Sequence, residues 1–324
     1  MKRRTRRNFT WILILAAVPA LAIIAQPPQE NSTRNEPDWA FPAPSATQPS
    51  DTGAGPKPVP GSSKTYTQAQ IDDLLNPPDW FPDEHPAAPA VVTKGTAPDA
   101  LACGSCHLMS GMGHAESSQL AGLPAGYIAQ QMADFKSGDR KDPARMTAIG
   151  KAISPEDAKA AADYFAALKP IPWEKVVEAD TVPKTYLNKG RQRLPLPEGG
   201  TEPIGNRIIE MPDDPARALA RDPKSPFVSY VPKGSLAKGQ ALVTTGDNGK
   251  AIPCAICHGA ALTGVGDVPR IAGLSPVYIA RQLYRFQNGD RNGDAAELMK
   301  PTVASFKDDD IIAVAAYLAS RPPQ

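Results

Sequence analysis

The stretch CGSCHLMSGMGHAESSQLAGLPAGYIAQQMADFKSGDR, residues 103–140, returns as CAICHGAALTGVGDVPRIAGLSPVYIARQLYRFQNGDR, residues 254–291, without a gap at an offset of 151. Both copies open on C-x-x-C-H and go on to Ala-Gly-Leu (121–123 and 272–274) and Tyr-Ile-Ala (127–129 and 278–280). A Gln follows (131 and 282), then a Phe (135 and 286) and Gly-Asp-Arg (138–140 and 289–291). A two-residue insertion then moves the offset to 153, at which Met146 matches Met299 and Tyr164 matches Tyr317. Register held over this length is the mark of an internal duplication.

Tyr127, Gln131 and Phe135 recur at i, i+4 and i+8, as do Tyr278, Gln282 and Phe286, which predicts one helix face in each copy. Ser154-Pro155-Glu156-Asp157 reads as an N-cap, a first-turn proline and acids at the positive end of a helix running to Leu168. Asp308–Asp310 match the dipole of a second such helix over Ile311–Ser320. No strand alternation stands out near either motif, so an all-α chain is expected. Residues 171–233 are expected as a mostly irregular connector, with a short hairpin around Gly199-Gly200.

C-x-x-C-H is the attachment signature of c-type haem. Two thiols on one helical turn can add to the two vinyl groups of haem, and the adjacent histidine then faces the iron. Cys103, Cys106, His107, Cys254, Cys257 and His258 are therefore the expected cofactor-binding residues for two covalently bound haem c groups. A four-cysteine zinc site would not need a His after each pair. A thioredoxin-like pair wants a βαβ setting. A C-x-x-C disulfide leaves both histidines unexplained. All four cysteines of the chain lie in these motifs.

His107 and His258 supply one iron ligand each, and the matched Met146 and Met299 are the expected opposite ligands; a thioether there favours Fe(II) and raises the potential. Met109 and Met112 follow the first motif too closely to reach its far side. His114 has Val265 as its counterpart, and His85, in a Pro-rich stretch, is expected in solvent. Tyr127, Tyr278, Arg140 and Arg291 suit haem propionates, and equally suit a core aromatic and a surface arginine.

The chain has 324 residues, 36 of them proline, and a formal charge of +1. Lys2, Arg3, Arg4, Arg6 and Arg7 carry five positive charges, and subtracting them leaves −4 on the rest, so no basic stripe for nucleic acid remains. Residues 9–25 are apolar or small, behind a basic start: an export signal. Ala20-Leu21-Ala22 offers a cleavage site, yet the run also reaches the lower limit of about 17 residues for spanning a bilayer. The protein is thus expected on the periplasmic side of the bacterial inner membrane, soluble if the signal is cleaved and tethered through residues 9–25 if it is not. The expected division is 1–26 export signal or anchor, 27–62 Pro-rich disordered linker, 63–170 first cytochrome domain, 171–233 connector and 234–324 second cytochrome domain.

In order, CxxCH, AGL, Y-I-A, Gln, F-x-x-G-D-R, Met and a helix ending near Tyr resemble the diheme cytochromes c4 and their class I relatives, over roughly 95–170 and 234–321. The resemblance implies two tandem all-α class I cytochrome c folds related by an approximate two-fold axis, with neighbouring haems. It implies an electron carrier, not an enzyme, passing electrons from a respiratory donor such as a quinol–cytochrome c reductase or periplasmic dehydrogenase to an acceptor such as a terminal oxidase. A cytochrome subunit of a dehydrogenase or oxidase complex is the alternative. A diheme peroxidase would need an open iron, and a thiosulfate dehydrogenase resembling that family an extra cysteine. The chain departs from the family in its long N-terminal segment, its long connector, and the lack of a leading helix before Cys103, where Thr93–Ala102 is Pro-broken and Tyr66–Leu75 is the expected substitute.

Overall fold

The computed structural model describes residues 36–43, 45 and 55–323; the expected signal or anchor at 1–26 lies outside the described residues. The chain enters through strands β1 (Lys57–Pro58) and β2 (Thr65–Tyr66) and the short helices α1 (Gln68–Ile71) and α2 (Ala90–Thr93). The first copy follows: α3 (Gly104–His107), α4 (Ala125–Ser137), α5 (Met146–Ala152) and α6 (Pro155–Ala167). The connector holds β3 (Glu174–Glu178), β4 (Thr181–Pro183), β5 (Thr185–Leu187), β6 (Arg193–Pro195), β7 (Thr201–Pro203), β8 (Ile209–Pro212), α7 (Pro215–Leu219) and β9 (Phe227–Val231). The second copy is α8 (Ser235–Thr245), α9 (Ala255–His258), α10 (Pro276–Gln287), a 3-10 turn (Asp294–Leu298), α11 (Met299–Val303) and α12 (Asp308–Ala319). Among the described residues no helix is long and apolar enough to cross a membrane.

The duplication holds at the level of elements: α3, α4, α5 and α6 recur as α9, α10, α11 and α12. The caps form as the residues require. Ser154 accepts from the Asp157 N–H at 3.0 Å, with Pro155 at the first helical position. The two apolar clusters are likewise repeats of each other. Ile128, Ala161, Ala162 and Phe165 meet in the first, and their counterparts Ile279, Val314, Ala315 and Leu318 in the second.

Several expectations need correction. The connector is not irregular and the chain is not wholly helical. β3, β9 and β8 form a sheet in that order, β3–β9 parallel and β8–β9 antiparallel, while β4 pairs with β7 and β5 with β6. These strands span three to five residues, and β4, β6, β7 and β8 end on prolines at 183, 195, 203 and 212, where proline is tolerated. Two inward positions, Glu210 and Ser229, are polar, which breaks the alternation that marks a strand. The tight turn lies at 188–192, closed by Asn188 N–H to Gln192 O at 2.9 Å. Gly199 and Gly200 instead take left-handed backbone (φ 69° and 96°) just before β7.

The leading helix of the first copy is α2, not Tyr66–Leu75: Val92 of α2 joins the first cluster, whereas Ile71 of α1 belongs to a separate cluster with Val59, Trp80 and Phe81. Part of the expected linker is ordered onto the body as well. Ala40 is buried in the second cluster, and Trp39 and Phe41 stack edge-on against Tyr284 at 6.4 and 6.1 Å. They are large apolar residues in an otherwise polar, Pro-rich stretch. Finally, His85 is not in solvent, because the 57–94 segment folds back over the first copy. Its Nε2 meets Asp79 at 3.1 Å and its Nδ1 stands 3.1 Å from the Tyr164 hydroxyl.

β9 ties the connector to both halves. Phe227 enters the first cluster and Val231, four residues on, the second. In a strand these two side chains share a face.

Candidate haem centres

Each motif forms a single helical turn. His107 N–H donates to Cys103 O at 3.0 Å and His258 N–H to Cys254 O at 2.9 Å, so both thiols and the imidazole leave one short helix in fixed relation. The four thiols are unbridged. Burial pushes the Cys103 thiol up to about 12 and the Cys254 thiol up to about 11.

The two histidines are held alike. His107 Nδ1 lies 2.7 Å from Ser118 O, and His258 Nδ1 lies 2.8 Å from Pro269 O, in each case the carbonyl eleven residues on. A carbonyl oxygen only accepts, so Nδ1 carries the proton and Nε2 keeps its lone pair, the tautomer an axial ligand needs. Both rings are buried, and burial lowers both below the ordinary histidine range, which keeps them neutral. Two thiols on one turn beside a neutral imidazole with a free Nε2 is a donor set that fits covalent haem c, twice over.

Met146 opens α5 and Met299 opens α11, both half-buried at equivalent points of the fold. Met299 packs against the same apolar cluster as Cys254 and Ala255. Met109 and Met112 lie in the first core. His114 is engaged locally: Nδ1 accepts from Glu116 N–H at 3.2 Å and Nε2 lies 3.4 Å from the Ser117 hydroxyl. Burial, then nearby Arg221, pushes it down to about 3.

Tyr127, Tyr278, Arg140 and Arg291 are brought together at the seam between the copies. Lys141 N–H donates to Asp290 O and Asn292 N–H to Asp139 O, both at 2.7 Å, a local two-fold exchange centred on Arg140 and Arg291. Arg140 reaches Gln131 in its own copy at 2.8 Å, and Gln282 (2.8 Å) and Tyr278 (3.3 Å) in the other. Arg291 reaches Gln282 in its own copy at 3.4 Å, and Tyr127 (2.8 Å) and Gln131 (2.9 Å) in the other. Arg140 and Arg291 stack on Phe135 and Phe286 at 4.6 and 4.5 Å. The reading of Arg140 as a surface arginine is thus overturned, since it is buried. Among the described residues neither guanidinium meets a carboxylate. Two sheltered cations with neutral acceptors alone suit an anionic group, such as a propionate.

Three supporting residues escaped sequence reading. Gln119 and Arg270 each follow the carbonyl that holds a motif histidine, and both are fully buried. Gln119 Oε1 accepts from Ser275 N–H at 2.7 Å, and Arg270 Nη2 donates to Ala121 O at 3.1 Å, so each crosses to the other copy. They stand at the 151 offset, but a match by identity passes over a Gln–Arg pair. Glu210 accepts from the Ser275 hydroxyl at 2.5 Å at the start of α10. Burial pushes its carboxyl up to about 7, and burial with the nearby Glu210 raises Glu174 as well. Only the tertiary fold brings these connector residues to α10.

The cytochrome c family model matches residues 236–322. The chain is 29% identical over 240 residues to the thiosulfate dehydrogenase electron acceptor of Thiomonas intermedia (strain K12), covering 73% of this chain and 85% of that protein. It is 30% identical over 235 residues to the protein of the same name from Stutzerimonas stutzeri (strain A1501), covering 71% and 84%. Cytochrome c4 of Pseudomonas aeruginosa (strain PAO1) is 24% identical over 224 residues, covering 68% and 83%.

Proposed function

We propose, because the chain belongs to the diheme cytochrome c4-like family and binds haem c covalently, that it accepts electrons one at a time from a periplasmic dehydrogenase and passes them to a terminal acceptor such as an oxidase. The observation that carries this reading is the matched pair of motif histidines, each locked by an Nδ1–carbonyl bond into the tautomer that presents Nε2. In this reading Cys103, Cys106, Cys254 and Cys257 would hold two haems through thioethers, and His107, Met146, His258 and Met299 would be the iron ligands. The bound groups supply reversible Fe(II)/Fe(III) change. The protein holds each imidazole neutral and oriented, shelters it from water, and lays Arg140 and Arg291 between the copies.

The two cytochrome units lie within 63–170 and 234–324. A thiosulfate-oxidising dehydrogenase is the favoured donor, on the strength of two relatives that carry the name of its electron acceptor. The same relatives support a second reading, a standing cytochrome subunit of such a dehydrogenase. The periplasm is the proposed location, with the signal or tether at 9–25.

The test is direct. Mass spectrometry and the pyridine haemochrome of the exported protein should report two covalent haems. Thiosulfate plus a thiosulfate dehydrogenase should reduce both, and Met146→Ala or Met299→Ala should each lower one potential. One haem or none sinks the reading; unmoved potentials sink the methionine assignment; reduction by other dehydrogenases alone sinks the donor.

A further inference from the structure

The two motif helices meet solvent very differently. Ser105, between the cysteines of the first motif, is 4% exposed, and its carbonyl is covered by the Arg221 guanidinium from the connector. The loop behind it is covered too: Trp173 Nε1 donates to Gly113 O at 2.9 Å, and Glu116 is clasped by Arg191 and Arg281. In the second motif Ile256 takes the place of Ser105 and is 70% exposed, with Cys257 beside it also exposed. Ile252 (50%) and Val265 (61%) lie on the segments either side of the second motif, and Leu298 (74%) ends the 3-10 turn before Met299. Among the described residues these four are the large apolar side chains at least half exposed. Ile252 and Ile256 flank one turn, and Leu298 precedes Met299, which packs on the cluster that holds Cys254 and Ala255. The counterpart of Leu298 in the first copy is the exposed Arg145.

The charges around this patch narrow what it fits. Lys250 is taken up by Asp310 and Lys300 by Glu297, both at 2.6 Å, so no ring of free lysines surrounds it. Asp247, Asp267 and Asp294 stand on its loops. The rim is neutral to weakly acidic around an apolar centre. Its complement is apolar at the middle and weakly basic at the edge.

We propose that the second copy is the one port of this protein: a redox partner with an apolar centre and a basic rim docks on Ile252, Ile256, Val265 and Leu298, and the first copy exchanges electrons only through the second. Each encounter moves one electron between the partner's centre and the chain, inward from a donor that is oxidised and outward to an acceptor that is reduced; no bond forms or breaks. The first copy, its motif turn covered by Arg221 at the Ser105 carbonyl, then serves as an internal store for a second electron. This rests on the electron-carrier reading above and adds where the partner binds.

The test uses the full holo chain with reduced mitochondrial cytochrome c, whose haem edge is apolar and ringed by lysines. The double variant I256K/L298K should slow electron exchange about tenfold or more, while Arg145→Glu should change it less than about twofold. Reduction by ascorbate should be unaltered in both, with unchanged Tm. A photo-crosslinker at position 256 should capture cytochrome c, and one at 145 should not. Capture at 145, an unchanged rate in I256K/L298K, or capture of a second copy of this chain in preference to cytochrome c overturns the single-port proposal. Failure of ascorbate to reduce both haems overturns the electron-carrier reading instead, so the two failures are distinguishable.

Discussion

The first copy of the duplicated unit is covered at its motif by the connector, and the second builds more of its core from its own helices, with Ala40, Ile208 and Val231 added from outside the repeat. The second has a full leading helix, α8, and α8 crosses α12 so closely that a methyl group at Gly239 would strike the Ala313 carbonyl. The first has only the four residues of α2 in that place, with Pro86 and Pro89 before it and Gly95 after. What it lacks is made up from outside the repeat: Trp173 and Phe227 enter its core, Arg221 covers its motif, and Lys224 pairs with Glu84 over Phe81. Two copies of one sequence pattern thus reach the same motif turn and histidine bond by different packing. The difference teaches that the motif's geometry is set by a local turn and a carbonyl eleven residues on, whereas access to that turn is set by more distant contacts.

The comparison can be broken most severely at the motifs. Replacing Cys103 and Cys106 by serine should remove one haem, and replacing Cys254 and Cys257 the other, read as a one-haem mass loss in each. If either change removed both, the copies would not be independent attachment units. Next in size is Gly239→Ala, which forces α8 from α12 and should cost about 3 kcal/mol in urea unfolding. Val92→Ala in the short α2 should cost about 2 kcal/mol. The reverse order would mean that the wrapped copy has the tighter core.

Glu210→Gln tests the connector's grip on α10 through pH. The folded carboxyl titrates near 7, raised from the ordinary 4.5, so folding favours its protonated form. The stability it contributes is present below about 4.5 and is lost as pH rises through about 7. Glu210→Gln should therefore gain on the parent by on the order of 2 kcal/mol between pH 5 and pH 8. Parallel curves across that range would show that Glu210 is ionised throughout. The smallest effect belongs to Arg221→Gln, which uncovers Ser105 O for about 1 kcal/mol. Hydrogen exchange should quicken over residues 101–107 and stay unchanged over 252–258. Equal change in both would mean that Arg221 does not act as a local cover.

Much of the site was legible because it is local. C-x-x-C-H puts its ligating groups on one turn wherever it occurs; a gapless offset of 151 carries the pattern from Cys103 to Cys254, and the offset of 153 after a two-residue insertion carries Met146 to Met299. The i, i+4, i+8 faces of α4 and α10 were readable for the same reason: helix periodicity needs no partner. The strands of the connector were not, since they are short, four of the seven end on proline, and two of them turn Glu210 and Ser229 inward. Nor was the burial of His85, which follows from a segment folding over a surface far away in the chain.

By itself, then, the sequence determined a duplicated haem-binding unit with four thiols, two histidines and two matched methionines, because those features are set by spacing within a turn and by repetition. Only the tertiary structure decided that Arg140 and Arg291 exchange partners across the copies, that Ser118 and Pro269 set the histidine tautomers, and that one motif is covered while the other stands open. Those outcomes depend on contacts between residues distant in sequence, such as Arg221 with Ser105, which no local pattern encodes.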